Sequence, residues 1–296
     1  MKKFIFILTL LIAFTVSTIA DVIPLPIDQS GGYEISKDNL IGKEEYLDES
    51  IHVSVERSVF KRANCMCVRI KVSDPSQIRT AMTRDSYDVK EYIATKTLAK
   101  KKNSVLAING DFFKYNDYGY LVRQGVLYRD RADEVHDILL IDDLGNFTVV
   151  QKPTNDKVHS AVSKLEKDGR KVINSFNFGP TLVIDGHPLE DIDTSIYQGR
   201  YKMMRLAIGQ LAPLEYAIYF CYGTSDAQEG LSLPNFAEYI AEVTPGVKVA
   251  FNLDGGGSTH VVLLGKQLHK NPSGRDISDI IYFCSASDSL GSERAE

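Results

Sequence analysis

The amino-acid sequence predicts an α+β fold: a large mixed β-sheet core, or two sheets, with a few helices packed on it in a single domain of the size of a catalytic domain. Many short apolar runs with strand-like alternation are separated by Gly, Asn and Asp turns, whereas clear helical periodicity is confined to a few stretches. The chain of 296 residues shows no internal repeat and no linker after residue 50. A chain of this length can bury a substantial core.

The first twenty residues, MKKFIFILTLLIAFTVSTIA, differ in character from the rest of the chain. Lys2 and Lys3 precede an apolar run, and small residues precede Asp21, which is the layout of a secretory signal peptide cleaved after Ala20. The run is short for a membrane span of roughly 20 residues. We therefore expect a secreted or cell-envelope protein, periplasmic or extracellular, that meets a membrane only if this segment stays uncleaved.

The remaining elements follow in order along the chain. Residues 21–50 are rich in Pro, Gly and acids and predict an extended lead-in, residues 51–285 form the domain, and residues 286–296 predict a flexible tail. Two alternating runs in residues 51–73 predict a hairpin that turns near Lys61–Asn64. Helices are predicted over residues 87–102 and 232–243, the second capped by Ser232 and followed by Pro245-Gly246.

Charge and cysteine content narrow the function classes. The formal net charge is −5, and an acidic balance argues against a nucleic-acid partner, which requires a basic footprint. The four cysteines, Cys65, Cys67, Cys221 and Cys284, lack the C-x-x-C spacing of a metal site. They are either buried free thiols or form one or two disulfides, as an exported protein allows. The sequence implies no cofactor, and no ligand spacing demands a metal, although a divalent cation near the carboxylates stays open.

The stretch AFNLDGGGSTH, residues 250–260, raises the main functional question. An apolar strand runs into Asp254, three glycines and two hydroxyl residues. Consecutive glycines allow backbone N–H groups to approach a ligand closely and to form an anion-binding nest. The alternative is a glycine-rich hairpin turn capped by the carboxylate. The stretch matches neither the P-loop, which needs a Lys, nor the dinucleotide fingerprint.

Other stretches place polar groups at strand ends in the same manner. AINGDFF carries Asn109, Gly110 and Asp111, and FNFGPTLVIDG carries Gly179; each is also compatible with a simple turn. Arg205 in MMRLAIGQ lies among apolar residues and needs a partner, either a structural carboxylate or a bound phosphate. Arg275, in NPSGRDISDIIYF, is a second candidate cation.

These segments, with the helix GLSLPNFAEYIAE between RLAIGQ and the glycine stretch, occur in an order that resembles the phosphodiester glycosidase family. The resemblance covers roughly residues 60–284, and the NGDFF and NLDGGGST elements are specific as an ordered pair. It implies hydrolysis of a sugar-1-phosphodiester, such as an N-acetylglucosamine-1-phosphodiester, at the anomeric carbon. The oxocarbenium-like transition state of such a reaction is stabilised by a carboxylate.

The resemblance also implies roles for the candidate residues. Asp254 is the expected carboxylate at the anomeric carbon, Asp111 with Asn109 holds sugar hydroxyls or supplies a second carboxylate, and Arg205 meets the phosphate. The expected substrate-binding positions are Asn109, Gly110, Gly179, Gly255, Gly256, Gly257, Ser258, Thr259 and Arg275.

One position departs from the family pattern. Family members often carry an Asp-Gly-Arg element before the second helix, whereas this chain has Thr224 where the Arg is expected. The departure leaves open a non-catalytic carbohydrate- or polysaccharide-binding envelope protein with the same fold. A third reading is a phosphodiesterase that cleaves the other side of the phosphate.

Overall fold

The computed structural model describes residues 22–222, 230–271 and 274–288. The predicted signal peptide, Thr224 and most of the predicted tail lie outside these residues. The described part contains three α-helices, α1 (Thr95–Lys101), α2 (Asn155–Lys167) and α3 (Leu233–Val243). None of the helices in this part of the chain has both the length and the apolar character needed to cross a membrane.

The strands account for most of the regular structure in the described residues. In chain order they are β1 (Leu40–Ile41), β2 (Glu45–Leu47), β3 (Ile51–Phe60), β4 (Ala63–Val72), β5 (Ile78–Met82), β6 (Ser104–Asn109), β7 (Gly119–Arg123), β8 (Val126–Arg131), β9 (Ile138–Asp142), β10 (Phe147–Val150), β11 (Val172–Asn177), β12 (Thr181–Ile184), β13 (His187–Pro188), β14 (Arg205–Ala212), β15 (Glu215–Tyr222), β16 (Val249–Leu253), β17 (Val261–Leu263), β18 (Lys266–Gln267) and β19 (Asp279–Cys284).

The strands form four sheets within the described residues. A nine-stranded sheet has the order β1-β2-β3-β4-β15-β14-β16-β12-β13, and a five-stranded sheet has the order β18-β17-β6-β19-β5. Smaller sheets contain β10-β9-β11 and β7-β8. Every ladder in the described chain is antiparallel, so the sheets are antiparallel and not mixed as expected. Apolar runs in a sequence indicate where strands lie but not which strands pair, so the sequence did not determine whether neighbouring strands run parallel or antiparallel.

The layers stack as helix, sheet, sheet, helix, which confirms the α+β class. One face of the nine-stranded sheet packs on the five- and three-stranded sheets through a large apolar core that includes Val68, Ile218, Phe251 and Ile281. Its other face packs on α3. Helix α1 covers the outer face of the five-stranded sheet, and α2 covers the outer face of the three-stranded sheet. Successive side chains along each strand point to opposite faces of the sheet, so each strand contributes to an apolar layer on both faces.

Two helices differ from the sequence prediction. The helix expected over residues 87–102 begins only at Thr95, because Ile93 pairs with Ile277 through backbone hydrogen bonds of 3.1 and 2.9 Å. Helix α2 was not predicted, although Thr154 caps it by accepting a hydrogen bond from Lys157 N. The sequence signal for this helix was a weak apolar stripe at helical spacing, formed by Val158, Ala161, Val162 and Leu165.

The predicted hairpin and the second predicted helix agree with the structure. Strands β3 and β4 pair in register around the turn at residues 61–62. Helix α3 starts after Ser232, whose hydroxyl accepts a hydrogen bond from Asn235 N. The four cysteines are buried free thiols, and Cys65 lies opposite Cys221 across the β4–β15 ladder.

The packing of α3 on the nine-stranded sheet predicts a large effect of one core substitution. Phe236 is fully buried in this interface, so Phe236→Ala should lower the free energy of unfolding by about 3–5 kcal/mol through lost burial and a residual cavity. Urea denaturation followed by circular dichroism measures the change. The exposed Val59→Ala is the control and should change stability by less than about 0.5 kcal/mol; equal effects would contradict this packing.

Candidate active site

The candidate residues gather at one end of the sandwich. Antiparallel neighbours place the end of one strand beside the start of the next. Strand β6 ends at Asn109, which pairs with Ile280 near the start of β19, and Leu253 at the end of β16 pairs with Leu206 near the start of β14. Residues far apart in the chain, Asn109 and Asp254 among them, therefore meet at one edge.

The Asn109 side chain holds both ends of the glycine-rich loop. Its Nδ2 donates to Asp254 O at 2.9 Å and to Gly110 O at 3.3 Å, and its Oδ1 accepts from His260 N at 3.0 Å. The side chain is buried. The amide thus positions the backbone at Asp254, and Asn109 also lines the tyrosine cavity, where contact with sugar hydroxyls stays a prediction.

The glycines of this loop are required by close backbone packing. Gly256 has a φ of +56° and its N–H donates to Met204 O at 3.0 Å, while a Cβ on Gly255 would lie 2.6 Å from the same oxygen. Any side chain at Gly255 would force the loop away from β14. Gly257 O accepts from Arg275 N at 2.9 Å, which ties the loop to the segment before β19.

Asp254 has an unusual environment for a carboxylate. Burial raises its pKa from 3.8 to about 6, and the nearby Asp111 carboxylate adds to the rise. The Ser258 hydroxyl and the Arg275 guanidinium act in the opposite direction. A carboxyl group tuned close to neutral pH beside a cleft is a typical candidate for a catalytic group.

Asp254 lies between two adjoining cavities, which we name the tyrosine cavity and the glycine cavity. The tyrosine cavity is narrow, with a volume of about 20 Å³, and the glycine cavity is larger, with a volume of about 200 Å³. Asp254 and Arg275 line both. Other lining residues are Tyr92, Phe112 and Tyr115 in the tyrosine cavity, and Phe178, Tyr197 and Asn252 in the glycine cavity.

Arg275 presents a cation to both cavities. Its residue is exposed, and none of the described acidic side chains forms an ion pair with it. Its backbone is held on both sides, since its N–H donates to Gly257 O and its carbonyl oxygen lies 2.9 Å from His260 Nε2. Expected only as a second cation, Arg275 has the placement that an anionic ligand requires.

Arg205 has a different environment from the one expected. Its guanidinium is buried and donates to four backbone carbonyls, those of Tyr197, Gln198, Tyr201 and Leu231, at 2.9–3.1 Å. Burial lowers its pKa to about 10. Arg205 lines the glycine cavity, and three of its four hydrogen bonds hold the 197–201 loop, so it positions this loop at the cavity wall.

Asp111 also lies behind the cleft. It is fully buried, its Oδ1 accepts from Arg123 Nη2 at 2.7 Å, and its Oδ2 accepts from Asn177 N at 2.8 Å. It lines neither cavity, so the structure places it behind the cleft wall and not at the expected position beside the sugar. Its charge reaches Asp254 through space and raises the pKa of that group.

Arg123 and Asp279 complete this buried cluster, and the sequence reasoning missed both. Arg123 Nη2 lies 2.9 Å from Asp279 Oδ2, and burial raises the pKa of Asp279. An Arg within the apolar run YLVRQG was the available signal, because such a group needs a partner. Side chains of β11 position β7 here, since Ser175 Oγ accepts from Val122 N at 2.7 Å.

The remaining expected positions divide between the cavity wall and the interior. Gly110 and Ser258 line the tyrosine cavity; a Cβ on Gly110 would lie 2.4 Å from the Asp279 carboxylate. Gly179 has a φ of +71° and packs against Asp137, which explains the glycine without a ligand. Thr259 is fully buried and lines neither cavity, contrary to expectation.

Aromatic rings connect the two cavities, and the sequence reasoning did not assign them a role. Phe178 stacks on Tyr197 with ring centroids 3.8 Å apart, and Phe112 contacts both Phe178 and Tyr115, at 6.1 and 4.8 Å. Phe112 and Tyr197 both have a φ near +50°, which is a strained backbone conformation for such residues. Aromatic faces beside polar groups suit a sugar ring.

Within the described residues, no group of three or more His, Cys, Asp or Glu side chains is placed to hold a metal ion. The arrangement instead combines the carboxyl group of Asp254, those of Asp276 and Asp279 in the tyrosine cavity, the guanidinium of Arg275 and an aromatic wall. These groups can bind a molecule that is anionic at one end and ring-shaped at the other.

Comparison with protein families identifies the family to which the chain is similar, independently of the site geometry. The family model described as phosphodiester glycosidase matches residues 102–284. Among curated proteins, the SPbeta prophage-derived uncharacterized protein YomE of Bacillus subtilis (strain 168) is 28% identical over 187 residues, which is 60% of this chain. The match covers 27% of that protein's length.

Solved structures show a similar fold. The catalytic domain of zebrafish N-acetylglucosamine-1-phosphodiester alpha-N-acetylglucosaminidase, auto-inhibited by its pro-peptide, matches with a TM-score of 0.61 and 18% identity over 90% of this chain and 98% of that chain. A hypothetical protein from Synechocystis matches with a TM-score of 0.56 and 14% identity, over 79% of this chain and 62% of that chain.

The raised pKa of Asp254 predicts that its removal stabilises the protein in a pH-dependent way. The pKa of Asp254 is near 3.8 in the unfolded chain and about 6 in the folded chain. Between these two pH values the folded state binds more protons than the unfolded state, so the free energy of unfolding falls as the pH rises. Asp254→Asn should therefore be more stable than the wild type by about 1–3 kcal/mol at pH 7.5, with little difference at pH 4. Urea denaturation at both values measures this, and a pH-independent difference would contradict it.

Proposed function

The chain belongs to the phosphodiester glycosidase family, and we propose that it is an exported hydrolase that cleaves a sugar-1-phosphodiester at the anomeric carbon. The products are a free sugar and a phosphomonoester. The observation that carries this proposal is Asp254, a partly exposed carboxyl group tuned to a pKa of about 6, beside the unpaired guanidinium of Arg275 at the junction of two cavities.

The anionic end of the substrate fits the groups around Arg275. A phosphodiester carries one negative charge, and a guanidinium binds phosphate oxygens with charge-assisted hydrogen bonds. The loop of Gly255–Gly257 lies beside this guanidinium and lets ligand atoms come close to the backbone. Arg205 is occupied by backbone carbonyls, so Arg275 is the cation that we assign to the phosphate.

The sugar end fits the aromatic wall and Asp254. Above a pH of about 6, Asp254 is ionised and stabilises the positive charge that develops at the anomeric carbon. The leaving phosphomonoester is already a weak base, so it needs little protonation. Asp254 can therefore act at the anomeric carbon while Asp111 stays buried on Arg123.

The substrate and the export route rest on further observations. The name of the zebrafish enzyme identifies N-acetylglucosamine-1-phosphodiesters as its substrates, and we propose this class for the present chain. Export rests on the Lys2-Lys3 head and the apolar run that follows it.

The proposal predicts turnover that depends on Asp254. Incubation with an N-acetylglucosamine-1-phosphodiester should release free sugar, and Asp254→Asn should lower kcat/KM on the order of 10³-fold, because the developing charge loses its stabilising partner. Release of reducing sugar measures this. Asp168→Asn, an exposed carboxyl group at the end of α2, is the matched control and should retain wild-type turnover.

Hydrolysis in ¹⁸O-labelled water identifies the bond that breaks. Label in the sugar supports attack at the anomeric carbon, whereas label in the phosphate would contradict a glycosidase and favour a phosphodiesterase. Binding of intact phosphodiester without turnover would instead favour the carbohydrate-binding alternative.

The phosphate role of Arg275 gives a second prediction. Arg275→Ala should lower kcat/KM about 10–100-fold through loss of a charge-assisted hydrogen bond, and Arg275→Lys should lower it less. Steady-state kinetics with the same substrate measure both. Arg131→Ala is the control, because its guanidinium lies in an exposed ion pair with Asp117 and lines neither cavity. Unchanged kinetics in Arg275→Ala would remove this residue from the phosphate site.

A further inference from the structure

We propose that Cys65 and Cys221 form a disulfide bond across the β4–β15 ladder when the chain folds in an oxidising compartment, and that Cys67 and Cys284 stay thiols. All four are thiols in the structure. The inference goes beyond the proposed reaction and takes from the proposed function only the export of the chain. Export matters because disulfides form and persist outside the cytosol.

The β4–β15 ladder brings the two cysteines together in a pair without backbone hydrogen bonds. Cys65 and Cys221 are direct partners in a ladder that has no register shift. Farther along it, Val72 N donates to Leu214 O at 3.0 Å. Backbone groups alternate between the two neighbouring strands, so even-numbered residues of β4 hydrogen-bond β15 and odd-numbered residues hydrogen-bond β3. The turn at residues 61–62, with both φ positive, closes on a hydrogen-bonded pair and agrees with this alternation.

This kind of pair has the geometry that a disulfide needs. The Cα atoms of a non-hydrogen-bonded antiparallel pair lie about 4.5 Å apart, and disulfides span Cα separations of about 4.4–6.8 Å. Cys67 is opposite Tyr219, so it is a diagonal neighbour of Cys221 at about 7–8 Å. Cys284 lies in β19 of the five-stranded sheet, in a different apolar cluster. The geometry therefore selects one pair of the four cysteines.

The present contacts of the two thiols do not oppose the bond. Cys65 Sγ donates to Ala63 O and Cys221 Sγ donates to Met203 O, each at 3.7 Å. Thiols are weak donors, so rotating both side chains toward each other gives up little. Both cysteines are buried under α3, and burial raises the pKa of both thiols, which leaves little reactive thiolate in the folded chain. We therefore expect the bond to form before α3 packs on the sheet.

The oxidant is a disulfide compound, either a small molecule or a protein. The thiolate of one cysteine attacks the donor disulfide, which forms a mixed disulfide and releases one donor thiolate. The thiolate of the other cysteine then attacks the protein sulfur of the mixed disulfide, forms the Cys65–Cys221 bond and releases the second donor thiolate. Two electrons pass from the chain to the donor, and the two protons of the cysteines end on the two donor thiols.

The bond lies next to the residues that hold the wall of the glycine cavity. Cys221 is opposite Arg205 in the β14–β15 ladder, and Arg205 holds the 197–201 loop by its carbonyls. A bond from β4 to Cys221 therefore anchors the strand beside Arg205. It also closes a long loop of chain, which restricts the unfolded state and stabilises the folded one.

Refolding in a redox buffer tests the pairing. The purified chain is unfolded, refolded in a mixture of glutathione and glutathione disulfide, treated with a thiol-blocking reagent and digested with trypsin for mass spectrometry. Residues 63–69 form one tryptic peptide that contains Cys65 and Cys67, so fragmentation of the linked peptide assigns the bond. We expect one disulfide, Cys65–Cys221, and two blocked thiols. A chain with four thiols, or a bond that includes Cys67 or Cys284, would overturn the proposal.

Variants and thermal unfolding give a second measurement. Cys67→Ala is the matched control and should keep the bond, whereas Cys65→Ala should lose it. Reduction should lower Tm by about 5–15 °C in the wild type and in Cys67→Ala, and leave Tm unchanged in Cys65→Ala. An equal response to reductant in the two variants would contradict the pairing. The wild-type comparison needs no variant, so it stays decisive if Cys65→Ala does not fold.

The disulfide and the proposed function fail in distinguishable ways, because none of these measurements uses a substrate. A chain that forms the bond but hydrolyses no sugar phosphodiester supports the disulfide and overturns the proposed reaction. A chain that hydrolyses the substrate while all four cysteines stay thiols in the redox buffer supports the reaction and overturns the disulfide.

Discussion

The double hydrogen bond of the Asn109 amide to the glycine-rich loop is the constraint on which the site depends. Three consecutive glycines give the unfolded loop more conformational freedom than any other residues would, so holding it in one shape is costly. Asn109 contacts the backbone at Asp254 and at His260, one at each end of the loop. The position of Asp254, the candidate catalytic carboxylate, is thus set by a side chain from another sheet.

Charge is distributed in the structure so that Asp254 and Arg275 meet where the two cavities adjoin, while Asp276 and Asp279 also line the tyrosine cavity. Asp111 and Asp279 share Arg123 in the interior, and Arg205 is occupied by backbone carbonyls. Buried charges need such partners. Asp254 and Arg275 lie at the cleft, and the interior carboxylate of Asp111 still influences Asp254 by raising its pKa.

The polar and aromatic parts of the cleft are linked through the 197–201 loop. Arg205 holds this loop by its carbonyls, and the loop presents Tyr197 to Phe178 in a strained backbone conformation. Strain of this kind persists only where surrounding contacts over-determine the geometry. A residue that sequence reasoning placed on the substrate thus acts by positioning another residue that lines the cavity.

The sequence by itself determined the α+β class, the β3–β4 hairpin, helix α3 and the importance of the AINGDFF and AFNLDGGGST segments, because apolar period, caps and glycines are local signals. The tertiary structure decided strand direction, the late start of α1 and the division of roles among Asp111, Arg205 and Arg275. An arginine in an apolar strand indicates that its guanidinium needs a hydrogen-bond or ion-pair partner, but which group is the partner depends on the loop that folds over it. Only the folded chain shows that Arg205 and Arg123 are occupied and that Arg275 stays unpaired among the described residues.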